Sequence, residues 1–215
     1  MRFLSILPAI LVAVSALAFG PLENPTPVAK RDSWGGAVSL GPSKSTITKA
    51  VTTITPGNAP PVQNGVLFLW PGMSNGTGDL VQTTLESWQD NSWCGAMSGQ
   101  WCIRCSLFGS FGQLDGPAGV VSGDQKVEIK YELATDGQTW VQTATDVTSG
   151  TQLSTFSYKS GPYMLYENTV ITLASADSTF GNTISTSQGA TYSGLTNTGG
   201  GKVWTIAKID VPKMV

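Results

Sequence analysis

Residues 126–158 read KVEIKYELATDGQTWVQTATDVTSGTQLSTFSY. Val127, Ile129, Tyr131 and Leu133 fall on one side of an extended chain. Lys126, Glu128, Lys130 and Glu132 fall on the other. This alternation predicts a strand with one buried and one wet face. Asp136-Gly137 is a two-residue hairpin signal, so 139–147 is predicted to return antiparallel. Ser149-Gly150 turns the chain once more, into 152–158. The stretch predicts a meander of three antiparallel strands.

The same period extends outward in both directions. Further strands are predicted at 46–55, 66–70, 79–88, 100–108, 163–174 and 202–211. Turn signals separate them, among them Pro60-Pro61, Asn75-Gly76, Ser122-Gly123-Asp124 and Gly161-Pro162. No stretch sustains a helical period of 3.6. Many strands with no helical pattern between them predict an all-β chain of two packed antiparallel sheets, a β-sandwich. The glycines at 199–201 are not a phosphate loop, because no strand-to-helix context surrounds them.

The N-terminus reads differently. Arg2 precedes an apolar run from Phe3 to Leu17, and Ala16-Leu17-Ala18 fits a cleavage site, so 1–18 is predicted to be a signal peptide. A Pro-containing piece, 19–31, ends in Lys30-Arg31 and is predicted to be a short propeptide. The domain proper is then 32–215, a length that suits one core. The expected location is outside the cell, with a cell wall as one destination. From residue 32 on, 13 acidic and nine basic side chains leave a net charge of −4. There is no basic cluster, so no nucleic-acid partner is expected. No membrane partner and no oligomer is expected either.

Histidine is absent. That removes Ser-His-Asp and Cys-His catalysis and His-ligated zinc. Three cysteines alone do not make a four-ligand zinc site, so no metal and no cofactor is expected. Carboxylates, amides, Tyr and Lys remain for chemistry.

Residues 65–108 hold all three cysteines and four of the seven tryptophans. On the strand at 79–88, Gln82, Thr84, Glu86 and Trp88 share one face. This is either an ordinary wet face or a ligand-binding stripe. On the strand at 100–108, Ile103, Cys105 and Leu107 share a core face, opposite Cys102, Arg104 and Ser106. Cys94 and Cys102 are expected to pair in an oxidising compartment, leaving Cys105 buried and free. Pairing of Cys94 with Cys105 is the alternative. Asn75-Gly76-Thr77 is a glycosylation sequon in a turn.

Several short motifs resemble a family. Ser33-Trp34-Gly35-Gly36-Ala37-Val38, then Leu69-Trp70-Pro71-Gly72-Met73, then Asp79-Leu80-Val81-Gln82-Thr83, and Ser122-Gly123-Asp124 before an alternating strand, are similar in order to the eqolisins. These are the fungal glutamic peptidases. The resemblance implies a concanavalin A-like jelly-roll sandwich acting on protein in acid. It places the catalytic Gln at Gln82 and its Glu partner on the strand at 101–108. No Glu stands between Ser87 and Val127, and that strand offers Arg104 and Ser106 instead. Glu86 does not fill the gap beside Gln82, because four residues along one strand span about 13 Å. Glu167 is the candidate from a neighbouring strand.

Two functional expectations follow. In the first, the sandwich has lost peptidase activity and binds an extended polysaccharide or polypeptide in a groove, through Gln82, Thr84, Trp88, Trp93, Trp101 and Arg104. In the second, the chain is an acid hydrolase. It would be a peptidase with a substitute acid, or a glycosidase using Glu86 with Glu167.

Overall fold

The meander forms where the alternation demands it, and a double-layered β-structure is built around it. The structure is a computed structural model that describes residues 35–61, 64–74, 79–159 and 170–211 of the chain. Its strands, in chain order, begin with β1 (Ala37–Ser39), β2 (Ile47–Ile54), β3 (Leu67–Leu69), β4 (Gly72–Ser74) and β5 (Leu80–Ser87). Then come β6 (Trp101–Gly109), β7 (Gly112–Asp115), β8 (Gly119–Val121), β9 (Val127–Leu133) and β10 (Thr139–Asp146). The last are β11 (Gln152–Lys159), β12 (Val170–Leu173), β13 (Ser185–Ser187), β14 (Thr191–Thr198) and β15 (Val203–Asp210). Two 3₁₀ turns, Ser92–Cys94 and Phe180–Thr183, are the helical pieces among the described residues. Among those residues no helix is long and apolar enough to cross a membrane.

One sheet has seven strands in the order β11-β10-β9-β2-β12-β15-β14. The other contains β3, β5, β6 and β7 in that order, with β4 also pairing β5 and β8 also pairing β6. All recorded strand pairs are antiparallel, including the small β1–β13 pair. The fold is a two-sheet antiparallel β-sandwich.

Val127, Ile129 and Tyr131 are buried against Val81, Leu85, Ile103, Cys105 and Leu107 of the second sheet. Each large aliphatic side chain taken from water contributes about 1.5–3 kcal/mol. Hydrogen bonds also cross this core, where burial makes an unmade one costly. Tyr131 donates its hydroxyl to the Pro71 carbonyl at 2.8 Å. Gln142 Nε2 donates to the Ser106 carbonyl at 2.8 Å, and the Cys105 backbone N–H donates to Ser154 Oγ at 2.9 Å.

Two local readings differ from the sequence expectation. The β9–β10 connection runs from Ala134 to Gln138, not across two residues. Asp136 accepts from the backbone N–H groups of Gln138 and Thr139 and from the Thr139 hydroxyl, which organises a wider turn. Strand β14 carries no apolar alternation and is exposed along nearly its whole length. It is held as an edge strand by backbone pairing to β15, a tertiary cause that its own side chains do not signal.

Candidate functional site

The strand β5 divides as its sequence directs. Val81, Thr83 and Leu85 face the core, and Gln82, Thr84 and Glu86 face away from it. The outward face is nevertheless covered: Gln82 is 6%, Thr84 1% and Glu86 0% exposed. A Cβ added to Gly72, the β4 partner of Gln82, would stand 2.9 Å from the Trp70 ring. Directly paired residues share a face, so the Trp70 indole lies beside Gln82. At the other end of the strand, the chain from 88 to 100 folds back over the sheet. Asn91 latches it, accepting from the Trp88 backbone N–H at 2.8 Å and donating to the Gln100 carbonyl at 3.0 Å. The Cys94–Cys102 disulfide closes it, leaving Cys105 buried and unpaired. Burial pushes the Cys105 thiol pKa up.

Under this cover lies a charged network. Glu86 Oε1 accepts from Thr84 Oγ1 at 2.7 Å and from Arg104 Nε at 2.9 Å. Oε2 accepts from Arg104 Nη2 at 2.8 Å and from Trp88 Nε1 at 2.8 Å. Arg104 Nη1 turns to Asp115 Oδ2 at 2.6 Å, and the guanidinium lies 4.8 Å from the Trp93 ring centre. A carboxylate offers about four lone-pair positions, and Glu86 has filled four. Such a group holds its neighbours but has no position left for a substrate or water. Arg104 is likewise committed to two carboxylates and an indole.

One cross-strand row carries Gly72, Gln82, Ser106 and Asp115. Asp115 accepts one bond on each oxygen, from Arg104 and from Gln113 Nε2 at 2.7 Å, and its side chain is 23% exposed. It therefore keeps open lone pairs where Glu86 keeps none. Two strand spacings separate Gln82 from Asp115, about 9.6 Å between backbones. Asp115 was not among the residues singled out from the sequence. It ends β7, and its alternation with Gln113 was the available signal.

The aromatic candidates separate. Trp88 and Trp93 are exposed, at 39% and 46%. Trp88 meets Trp93 edge-on at 6.5 Å and Phe68 at 6.3 Å. Phe68, also exposed, was not singled out from sequence. Trp101 is corrected: it is 2% exposed, packs in the core and donates Nε1 to the Gly57 carbonyl at 2.7 Å, so it offers no face to a ligand. Its parity with Ile103 and Cys105 already carried that answer. Thr84 is spent on Glu86. Glu167 and Asn75 lie outside the described residues, as do the signal peptide and propeptide, 1–31.

Beside Trp88 a cleft of about 190 Å³ is lined by Pro60, Pro61, Asn91 and Met97 among others. Pro61, Ser98 and Gly99 also line a second cleft of about 410 Å³ that reaches Asn58, Ser122 and Asp124. Asp90, in the first cleft, is held below the usual carboxylate range by the backbone N–H and hydroxyl of Ser92. Among the described residues no cluster of His, Cys, Asp and Glu is arranged to hold a metal ion.

No family model and no curated protein sequence matches the chain. Among solved structures it is similar to scytalido-glutamic peptidase, crystallised with a transition state analog inhibitor. That likeness has a TM-score of 0.45 at 13% identity, covering 85% of this chain and 76% of the other.

Proposed function

We propose that this chain is a secreted, eqolisin-like β-sandwich that binds an extended polymer and does not cut protein in acid. The observation that carries the reading is the state of Glu86. It is the acid on Gln82's own strand face, and it is closed to solvent under four donors. Gln82 alone orients a water but takes no proton, because an amide is not a base. Loss of a general base forfeits about 10²–10⁴ in rate. The exposed Trp88 and Trp93 supply contact area of the kind that binding surfaces use.

A second reading is favoured by one feature, the Gln82–Ser106–Asp115 row. In it Asp115 replaces the missing acid and the chain is an acid hydrolase. Digestion of denatured protein at pH 2–4 by the processed chain and by Gln82→Ala and Asp115→Asn separates the two. The binding reading expects equal, background rates in all three. Cleavage that disappears in both variants would establish the hydrolase instead. N-terminal sequencing of secreted material tests the processing, with Asp32 expected as the first residue.

A further inference from the structure

We infer that the polymer is a neutral polysaccharide, and that it docks on the aromatic end of the six-stranded sheet and in the loop clefts beside it, away from the Gln82 row. The inference rests on the binding reading above.

The Arg104 guanidinium lies over the Trp93 ring, and nearly half of the residue is exposed. Arg104 is itself anchored by Glu86 and Asp115, which fixes the indole from beneath. Trp88 is fixed by its Nε1 bond to Glu86 and by its backbone bond to Asn91. These are pre-set aromatic surfaces, and binding pays little ordering entropy on rings already held. The apolar C–H face of a pyranose ring is flat, uncharged and suited to such a surface. Trp88 is also a wall of the first cleft, so the aromatic step leads directly into it. Beyond it, exposed Asn58, Ser98 and Asp124 present amide, hydroxyl and carboxylate groups of the kind that recognise sugar hydroxyls.

The charge selects the class. Asp90 lines the first cleft and Asp124 the second, and neither cleft has Lys or Arg in its lining. An anionic polymer would meet like charge with no counter-charge. A polypeptide that binds by strand addition needs a sheet edge to pair with. Here the walls are the loop residues 58–61, 88–91, 96–100 and 122–124, which have no ladder to extend.

The test uses the processed full-length chain and depletion from solution by insoluble chitin, cellulose and β-1,3-glucan. Soluble polygalacturonate and denatured casein serve as anionic and polypeptide competitors. Retention by at least one neutral polysaccharide is expected. Trp93→Ala should weaken it by about tenfold or more, about 1.4 kcal/mol, and Trp93→Phe should restore much of the loss. Val147→Ala, an exposed change just after β10 and outside both clefts, should bind as the parent does, and far-UV circular dichroism confirms that each variant is folded. Binding to casein but to no polysaccharide would overturn this inference and leave polymer binding standing. Equal competition by polygalacturonate would overturn the neutral class. Polysaccharide binding that survives Trp93→Ala and fails in Gln82→Ala would overturn the location. Binding to none of the polymers would overturn both readings.

Discussion

Arg104 carries more of the site than any other single side chain. It supplies two of the four bonds to Glu86, one to Asp115, and the support beneath Trp93. Removing one partner of a buried pair leaves an uncompensated charge, at a cost of about 3–5 kcal/mol. Arg104→Ala is therefore expected to lower unfolding stability by that amount, read as a shift of the urea midpoint. Replacing both partners with apolar residues of similar volume avoids the stranded charge. Glu86→Leu/Arg104→Met is expected to recover most of the loss. If the double variant is as unstable as Arg104→Ala, the network does more than neutralise a buried carboxylate. The residue types on this face were legible in the alternation of 80–87. Their burial was not, because it comes from Trp70 and the returning 88–100 chain.

At the scale of elements, the returning chain is held by Asn91 and the Cys94–Cys102 bridge, whose ends are 8 residues apart in sequence. Closing a loop of that size restricts the unfolded chain by about 2.6 kcal/mol. Cys94→Ala/Cys102→Ala is expected to destabilise the fold by about 2–3 kcal/mol in chemical denaturation. Its tryptophan emission should also change, since Trp93 sits in the same 3₁₀ turn as Cys94. Unchanged emission would mean that Arg104 and Asn91 alone position that turn. Strand parity put Cys102 and Cys105 on opposite faces and so removed that bridge, while the structure decided between Cys102 and Cys105 as the partner of Cys94. Trp101 obeys the same rule, since its parity with Ile103 makes it a core residue.

At the scale of the whole molecule, glycines leave room where β11 passes the other sheet. A Cβ on Gly116 would come within 2.2 Å of the Thr155 carbonyl oxygen on β11, and one on Gly119 within 2.5 Å of the Leu153 carbonyl oxygen. Backbone cannot yield as a side chain can. Gly116→Ala is expected to cost about 1–3 kcal/mol, visible as a lowered Tm. The acid response also belongs to this scale. Asp136 is held at about 2, chiefly by the Thr139 hydroxyl and then by backbone N–H groups. Asp146 is lowered first by the Thr148 N–H, Asp177 first by the Thr179 hydroxyl, and Glu132 first by Lys130. Each folded value lies below the unfolded one. Each therefore contributes stability above the unfolded value and loses it as pH falls through the folded value. Tm is expected to hold from neutral pH down to about 4 and to fall between about 4 and 2. Asp136→Asn should flatten part of that fall. A variant with the parent's full acid slope would remove Asp136 from the account.

The sequence by itself determined the β class, the two-sheet layering, which side of each long strand is apolar, and that Cys102 and Cys105 face opposite ways. These depend on a period of two and on turn residues, both local properties of the chain. Only the tertiary structure decided that Glu86 is closed under Arg104, Thr84 and Trp88, that Asp115 shares a row with Gln82, and that Phe68, Trp88 and Trp93 stand together. Those facts arise where segments far apart in sequence fold over one another. Alternation says which way a side chain points, and the layer above it says whether water reaches it.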